Sequence, residues 1–412
     1  MRSFLWVRVI SFLVILLVGC GPVGTPQATA SPVPPTQTGE VPTSTATLQP
    51  ITGLSDLHMI DSLSGWAWTA KTENRFALLH TGDGGQTWSD VSPKDFPFVP
   101  DGSFILDAET AWLQLYNPTP NSSGLARTTD GGKTWSVLNN ALAFPSPSFQ
   151  AQFVTSQNGW AESVDIGAGN VSIQLYQTQD GGIQWKQIMV TGPVPDPTAP
   201  DGTLHLCNLC GDRLYYDPER LIITHGDLAT RSPGGGVRLD VSTDAGRSWT
   251  SAQLNLPKSA YAPDLIVPGQ PIFFHLNDGL LPVQMQDPNS SGPGTAALAL
   301  YLTHDGGRTW QASPSVLEKV NLFDSVDALS PLDIYVTCGS NLCATHDGAQ
   351  TWTTLQTNLN FASSDTQESV SQFDFVSPMT GWALSGMAGS FSLYETKDGG
   401  ESWARLSPTL LP

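Results

Sequence analysis

The chain has 412 residues, of which 18 are Lys or Arg and 37 are Asp or Glu, so its formal net charge at pH 7 is −19. This balance argues against a nucleic acid or an anionic lipid surface as a partner, because both need clustered Lys and Arg. It permits a basic partner, and it also suits an acidic surface that keeps the protein soluble. The length is sufficient for one large β domain.

Residues 1–20 have the features of a signal peptide. Arg2 and Arg8 precede a short apolar run, Val9 to Val18, which is too short for a comfortable membrane span. The run ends in Leu-Val-Gly-Cys, which resembles a bacterial lipobox. The resemblance implies that Cys20 begins the mature protein, carries acyl chains and anchors it to the outer side of the cytoplasmic membrane. The alternative is an ordinary secretory signal that contains a Cys by chance.

Residues 21–50 are rich in Pro, Thr and Ser, and Glu40 is their only charged residue. Such a composition cannot bury a core, so the sequence predicts a disordered or polyproline-like tether. Fully extended, it would reach roughly 90 Å from the membrane. A lipid-bearing Cys followed by a tether is consistent with a domain held outside the cytoplasm.

Seven copies of one motif occupy residues 51–412, beginning with Thr81-Gly82-Asp83-Gly84-Gly85-Gln86-Thr87-Trp88. The Asp residues are Asp83, Asp130, Asp180, Asp244, Asp305, Asp347 and Asp398, and the Trp residues are Trp88, Trp135, Trp185, Trp249, Trp310, Trp352 and Trp403. Asp-Gly-Gly predicts a tight turn, because Gly adopts positive φ and Asp accepts backbone N–H groups. Strand-like residues flank each turn. Each copy is therefore predicted to be a β-hairpin with an inward-facing Trp.

A second motif precedes several hairpins, as in Gly65-Trp66-Ala67 and Gly381-Trp382-Ala383, and a further apolar run precedes it. This order predicts four strands per unit and hence an all-β, seven-bladed β-propeller of four-stranded antiparallel blades over residues 51–412. No strand is left over at either end of the seven units. The sequence therefore predicts that the ring closes by side-chain packing alone.

The repeated turn is similar to the Asp-box, also called the BNR repeat. Together with Gly-Trp-Ala it resembles the photosystem II assembly and stability factor family, over about residues 51–410. The resemblance implies a seven-bladed propeller that binds protein partners, with its Asp-boxes at the outer rim. Three copies depart from the pattern, at Gln184, Ala245 and Ala349.

The fourth and fifth units are longer than the others, and their extra length has the composition of loops, rich in Pro, Gly and Ser. Binding residues commonly lie on loops that a rigid scaffold positions. Aromatic and charged residues within these segments are candidate partner contacts: Tyr215, Tyr216, Arg220, Phe273 and Phe274.

Four Cys residues remain besides Cys20, and in an exported protein they are expected to form disulfides. Cys338 and Cys343 flank a turn composition, and the favoured prediction is a bridge across that hairpin. Cys207 and Cys210 are predicted to pair locally. A zinc site that uses Cys207, Cys210, His205 and His225 is the alternative.

The sequence indicates no catalytic residue, no cofactor and no metal. The seven Asp residues are turn residues, and function must come from a site that is built on the fold. The favoured hypothesis is a scaffold that binds a protein partner in the cell envelope. The alternative is an exported, sialidase-like glycoside hydrolase or a carbohydrate-binding protein, which would show three converging Arg side chains or two facing carboxylates at one mouth of the ring.

Overall fold

The computed structural model of the chain describes residues 49–51, 53–72, 75–94, 98–115, 124–138, 149–167, 170–191, 213–217, 220–225, 237–244, 247–257, 265–286, 295–320, 326–362, 368–387 and 390–412. Strands are the only extended regular structure in these residues, and they form seven sheets in sequence order. The predicted seven-bladed β-propeller is confirmed. In each blade the chain runs from an inner strand to an outer strand through three antiparallel pairings.

Blade 1 comprises β2 (Leu54–Met59), β3 (Gly65–Thr72), β4 (Arg75–Thr81) and β5 (Thr87–Asp90), and blade 2 comprises β6 (Phe98–Ile105), β7 (Ala111–Leu115), β8 (Gly124–Thr128) and β9 (Ser136–Leu138). Blade 3 comprises β10 (Phe149–Phe153), β11 (Gly159–Gly167), β12 (Asn170–Thr178) and β13 (Lys186–Thr191), and blade 4 comprises β14 (Arg213–Tyr216), β15 (Leu221–His225), β16 (Val237–Ser242) and β17 (Thr250–Leu254). Blade 5 comprises β18 (Leu265–Pro268), β19 (Ile272–Phe273), β20 (Gly279–Gln286), β21 (Ala296–Thr303), β22 (Gln311–Ala312) and β23 (Leu317–Val320). Blade 6 comprises β24 (Val326–Ala328), β25 (Ile334–Cys338), β26 (Asn341–Thr345) and β27 (Thr353–Leu355), and blade 7 comprises β28 (Ser369–Phe375), β29 (Gly381–Met387), β30 (Ser390–Thr396) and β31 (Ala404–Arg405). Two short strands remain, β1 (Gln49–Pro50) and β32 (Thr409–Leu410).

Blade 5 departs from four continuous strands. Its inner position is divided into β18 and β19, which both pair with β20, and its outer position into β22 and β23, which both pair with β21. Pro268 and Pro271 border the inner break, and Pro314 lies in the outer one. Proline has no N–H to donate to the ladder, so the pairing stops at these points.

The ring closes through a strand pair, and the prediction of closure by side-chain packing alone is wrong. β32 pairs in parallel with β5, the outer strand of blade 1, and β1 pairs with β32. The Leu411 N–H donates to the Trp88 carbonyl oxygen at 2.8 Å, and the Ile51 N–H donates to the Pro408 carbonyl oxygen at 2.9 Å. The C-terminus, which follows blade 7, is thereby hydrogen-bonded to blade 1. Gln49 and Pro50, which the sequence analysis assigns to the tether, belong to this closure.

The hydrophobic core lies between neighbouring blades. One cluster joins Leu57 and Trp88 of blade 1 to Trp382 and Leu393 of blade 7, and Leu410 of β32 packs against it. The second and third strands of a blade are covered on both faces, and β20 and β21 are accordingly buried along nearly their whole length. This is why the sequence there is a continuous apolar run instead of an alternating one.

The two faces of the ring differ in what they carry. The motif turns that link the third and outer strands, called the repeat turns below, lie beside the turns that link the inner and second strands. In blade 1 the Gly84 N–H donates to the Leu63 carbonyl oxygen at 2.8 Å, and five other blades make the same bond. We call this side the turn face. The connections between the second and third strands, and those between blades, leave from the opposite face.

Candidate functional site

The repeat turn is a self-contained hydrogen-bond unit. In blade 1, Asp83 Oδ1 accepts from the Thr81 hydroxyl at 2.9 Å and from the Thr87 N–H at 2.8 Å, and Asp83 Oδ2 accepts from the Thr87 hydroxyl at 2.6 Å. The Trp88 indole N–H donates to the Gly85 carbonyl oxygen at 2.9 Å. The carboxylate is therefore occupied by its own turn, which fits a structural role.

The same bonds alter the acidity of the turn carboxylates. Hydrogen bonds from the Thr134 hydroxyl and the Thr134 N–H lower the pKa of Asp130 to about 2, and the Thr128 hydroxyl adds to the effect. Donors that stabilise the charged form of a carboxylate lower its pKa. Asp130 thus remains ionised at neutral pH and is unsuited to donate a proton, and the same holds for Asp244 and Asp347, whose pKa is likewise lowered to about 2.

The sixth repeat turn keeps the backbone of the others although Ala349 replaces Gly. Ala349 has φ 59°, in the same left-handed region as its counterpart Gly307 at φ 90°. The Ala349 carbonyl oxygen accepts from the Ser315 hydroxyl and N–H. In the turns of blades 1, 3, 5 and 7 this carbonyl receives the indole N–H, whereas Trp352 Nε1 is buried without a hydrogen-bond partner among the described residues.

In blades 1, 2 and 7 the Trp of the second motif hydrogen-bonds to the next blade, and the blade 1 bond runs from the Trp66 indole N–H to the Asp107 carbonyl oxygen at 3.1 Å. The Trp112 indole N–H donates to the Gly181 carbonyl oxygen of blade 3 at 2.9 Å, and the Trp382 indole N–H donates to the Gly84 carbonyl oxygen of blade 1 at 3.0 Å. In blade 6 the equivalent residue is Tyr335, whose hydroxyl donates to the Pro378 carbonyl oxygen at 2.7 Å. Sequence reasoning missed Tyr335, and its place three residues before Cys338 in the second strand is the signal that could have found it.

The predicted partner-loop residues of blade 4 lie on or directly beside strands, since two are on β14 and Arg220 immediately precedes β15. Tyr215 and Tyr216 are on the inner strand β14, and burial raises the pKa of Tyr216 well above its usual value. Arg220 is buried, with its Nε 2.9 Å from Asp217 Oδ2 and its guanidinium carbon 4.0 Å from the Phe273 ring centroid. Polar residues next to a proline suggested a loop, but a buried ion pair stacked on an aromatic ring holds this segment in the interface between blades 4 and 5.

The two Phe residues of blade 5 are also packed. Phe273 ends β19 and lies 5.8 Å from the Tyr215 ring centroid and 6.1 Å from the Trp310 ring centroid. Phe274 follows it in the turn and is partly buried in the adjoining core cluster. Phe273 therefore lies on a strand and Phe274 in the turn that follows, and both side chains pack in contacts between blades.

Carboxylates of the inner strands hold neighbouring blades together. Asp327 Oδ2 accepts the Phe375 N–H at 2.7 Å, and Asp374 Oδ2 accepts the Met59 N–H at 2.6 Å. These bonds join blade 6 to blade 7 and blade 7 to blade 1. Asp327 and Asp374 thus lie on the inner strands of adjacent blades, where a glycosidase would have its carboxylate pair. Each of these two carboxylates is instead hydrogen-bonded to the backbone of the blade that follows.

The described Arg side chains that could serve a sialidase-type site are engaged separately. Arg220 is in the buried pair above, Arg238 Nη2 lies 2.8 Å from Asp240 Oδ2, and Arg405 Nη2 donates to the Ser392 hydroxyl at 2.9 Å. Arg220 precedes β15 and Arg238 lies on β16 of blade 4, while Arg405 lies on β31 of blade 7. These three side chains do not converge on one carboxylate-binding position.

Glu162 is an isolated acidic group at the interface between blades 3 and 4. It lies on β11, and Tyr216 faces it from blade 4. Burial raises the pKa of Glu162 to about 7. A carboxyl group with this pKa exchanges a proton near neutral pH. The described residues contain no group of three His, Cys, Asp or Glu side chains that could hold a metal ion.

The structure contains a disulfide between Cys338 and Cys343, with an S–S distance of 1.93 Å across the β25–β26 hairpin. This is the pairing that the sequence analysis favours. Cys20, Cys207, Cys210 and His205 lie outside the described residues. Among the residues that are described, no helix is long and apolar enough to cross a membrane.

The connections that carry the extra length of blades 4 and 5 all join strand ends on the opposite face. They are residues 192–212 between β13 and β14, 226–236 between β15 and β16, 255–264 between β17 and β18, and 287–295 between β20 and β21. The equivalent β25–β26 connection of blade 6 has only Gly339 and Ser340. The sequence that differs most between blades therefore leaves one face of the ring, around two neighbouring blades.

No protein-family model and no curated protein sequence matches this chain. Solved structures do. YCF48 bound to a D1 peptide is 17% identical, with a TM-score of 0.44 over 84% of this chain and 95% of that one. An ulvan lyase of polysaccharide lyase family PL25 is 13% identical, with a TM-score of 0.47 over 87% of this chain and 97% of that one. An α-L-arabinanase of Penicillium chrysogenum is 14% identical, with a TM-score of 0.39 over 74% of this chain and 95% of that one. At such identities and TM-scores these similarities carry no conclusion about this chain.

Proposed function

We propose that this chain is a lipid-anchored, extracytoplasmic β-propeller that binds a protein partner and serves as a scaffold in the cell envelope. Cys20 would carry the lipid, residues 21–48 would form the tether, and the ring would present the binding surface. The resemblance of the repeat motifs to the photosystem II assembly and stability factor family supports a protein-binding role. We do not propose a photosystem as the partner.

One observation carries the binding role: the long connections of blades 4 and 5 leave the same face of a ring whose blades are joined by hydrogen bonds. Trp112, Trp382, Asp327 and Asp374 bond to neighbouring blades, and β1 and β32 close the circle. A rigid scaffold lowers the entropy that a partner must offset on binding, and variable connections supply the contacts.

The test is chemical cross-linking of the full chain in its native membranes, followed by mass spectrometry. We expect one dominant protein partner for the wild type, and loss of that partner when residues 226–236 are shortened to three Gly or Ser residues. A matched variant that lengthens the Gly339-Ser340 turn by two Ser residues should keep the partner. Turnover of a sialoside or glucan by the purified full chain would contradict the scaffold role.

Membrane attachment has its own test. Cys20→Ala should move the protein from the membrane fraction to the soluble extracytoplasmic fraction, because the acyl chains that would hold it in the membrane are attached to the Cys20 thiol and amino group. Cys20→Ser serves as a second variant of the same loss. Unchanged fractionation of both variants would contradict the lipid anchor, and the proposed binding role would still stand.

A further inference from the structure

Exposed apolar side chains are concentrated on one part of the turn face. Leu63 is 57% exposed, Leu332 is 55% exposed and Met379 is 55% exposed, and they lie in the turns between the inner and second strands of blades 1, 6 and 7. Leu276, 58% exposed, lies in the same turn of blade 5 but one position earlier, since Asn277 there accepts the Gly306 N–H as Leu63 accepts the Gly84 N–H in blade 1. Blades 5, 6, 7 and 1 are consecutive around the closed ring, so we call these four side chains the apolar arc.

The backbone of the arc is held on both sides. In blade 1 the Leu63 N–H donates to Asp61 Oδ1 at 2.7 Å, while the Leu63 carbonyl oxygen accepts the Gly84 N–H at 2.8 Å. In blade 6 the Leu332 N–H donates to the Ser330 hydroxyl oxygen at 3.1 Å, while its carbonyl oxygen accepts the Gly348 N–H at 3.2 Å. The apolar side chain is thus displayed to solvent by a fixed turn.

Blades 2 and 3 have the same turn with a polar residue in that position. The Glu109 N–H donates to Asp107 Oδ1 at 2.9 Å, and the Glu109 carbonyl oxygen accepts the Gly131 N–H at 2.9 Å. Gln157 makes the corresponding bonds to Thr155 and Gly181. The turn therefore does not need an apolar side chain for its own stability. Exposed apolar side chains that the fold does not need indicate a surface that a partner covers.

The charge around the arc specifies the partner. The turn face of blades 5, 6, 7 and 1 carries eight carboxylates against one Arg and one Lys, the carboxylates being Asp61, Asp83, Asp278, Asp305, Asp333, Asp347, Asp398 and Glu401, and the basic residues Arg308 and Lys397. Two of these carboxylates face a histidine: Asp278 Oδ1 lies 2.7 Å from His304 Nδ1, and Asp333 Oδ1 lies 2.9 Å from His346 Nδ1. The Asp83 and Asp347 carboxylates accept bonds only from hydroxyl and backbone N–H groups of their own turns, so their charges are not neutralised. Complementary charge favours a basic partner at such a surface.

We propose that the turn face of blades 5, 6, 7 and 1 is a docking surface for a protein segment whose apolar side chains alternate with Lys or Arg. The apolar side chains of the segment cover Leu276, Leu332, Met379 and Leu63, and its cations lie over the surrounding carboxylates. This surface is distinct from the long connections on the opposite face. Loss of binding at one face therefore leaves the other face intact, and the two proposals fail separately.

The test uses the purified full chain and a fluorescent synthetic peptide of alternating Leu and Lys as the probe, with Leu–Glu and Ser–Lys peptides of the same length for comparison. The arc variant combines Leu63→Gln, Leu332→Gln and Met379→Gln, which place at these turns the residue that blade 3 already has. Val137→Gln with Ile183→Gln removes two exposed apolar side chains, 45% and 51% exposed, from blades 2 and 3 as a matched control.

We expect the Leu–Lys peptide to bind the wild type and the control variant within twofold of each other, and the arc variant at least tenfold more weakly. The Leu–Glu and Ser–Lys peptides should bind the wild type at least tenfold more weakly than the Leu–Lys peptide. Absence of Leu–Lys binding, or an equal loss in both variants, would overturn the proposal. Arc-dependent flotation with phosphatidylcholine vesicles, or arc-dependent dimerisation in sedimentation, would assign the arc to a lipid surface or a second copy and would also overturn it.

Discussion

Removal of one indole N–H at the interface between blades 7 and 1 should weaken the whole ring. Trp382 is completely buried, and its Nε1 donates to the Gly84 carbonyl oxygen at 3.0 Å. Trp382→Phe keeps an aromatic ring in place but leaves that carbonyl oxygen without its donor. The interface between blades 7 and 1 is the one that the chain does not cross in sequence order, so its noncovalent contacts are decisive for closure.

The expected cost has two parts. A buried acceptor that loses its partner costs about 1–3 kcal/mol. The smaller Phe ring leaves unfilled space that costs about 1 kcal/mol more. The free energy of unfolding should therefore fall by about 2–4 kcal/mol. Trp112→Phe breaks the equivalent bond to Gly181 and should cost the same within about 1 kcal/mol.

Trp352→Phe is the control, because Trp352 Nε1 has no hydrogen-bond partner among the described residues. Its removal should cost at most about 1 kcal/mol. The measurement is guanidinium unfolding of the three variants and the wild type, followed by circular dichroism. If Trp382→Phe costs no more than Trp352→Phe, the indole bond does not hold the ring closed, and the reasoning from blade-to-blade hydrogen bonds is refuted.

Three further predictions concern groups inside the blades. Burial raises the pKa of Glu162 from 4.5 to about 7. The free energy of unfolding of the wild type should therefore fall by at most about 3 kcal/mol as the pH rises from 4.5 to 7. Unfolding measured at pH 5 and at pH 8 should show no such fall in Glu162→Gln. The pKa of Asp130 is lowered to about 2. The ionised Asp130 side chain therefore stabilises the folded state at pH values above its ordinary pKa, and this stabilisation is lost as the pH falls through 2. An NMR titration should place the midpoint of Asp130 near pH 2, and acid unfolding of Asp130→Asn should lack this loss of stability. Cys338→Ala with Cys343→Ala should lower the free energy of unfolding by about 2 kcal/mol, and reductant should destabilise the wild type, but not the double variant, in urea.

The blades could be predicted from sequence because each repeat turn is local. Asp83 and the hydrogen-bond donors of its turn lie within a few residues of one another, so the motif Asp-Gly-Gly followed by Trp is sufficient to predict the turn conformation. Seven copies then set the number of blades. The strands beside the turns are long apolar runs, and these are among the most reliable signals that a sequence provides.

The closure and the blade 4–blade 5 interface could not be predicted, for different reasons. Thr409 and Leu410 form a strand of two residues, which has no periodicity, and its partner is at the other end of the chain. Arg220 is of a residue type that most often lies at a surface. It is buried here because Phe273 of blade 5 packs over its guanidinium, and that approach is visible only in three dimensions.

Site-specific photo-cross-linking in the native envelope tests most directly whether this propeller binds a protein through its turn face. A p-benzoylphenylalanine at position 332 lies in the apolar arc, and one at position 157 lies in the same turn of a blade outside it. The account predicts a discrete protein adduct from position 332, none from position 157, and loss of the adduct when Leu63→Gln and Met379→Gln are added. Equal adducts from both positions, or only lipid adducts from position 332, would contradict it.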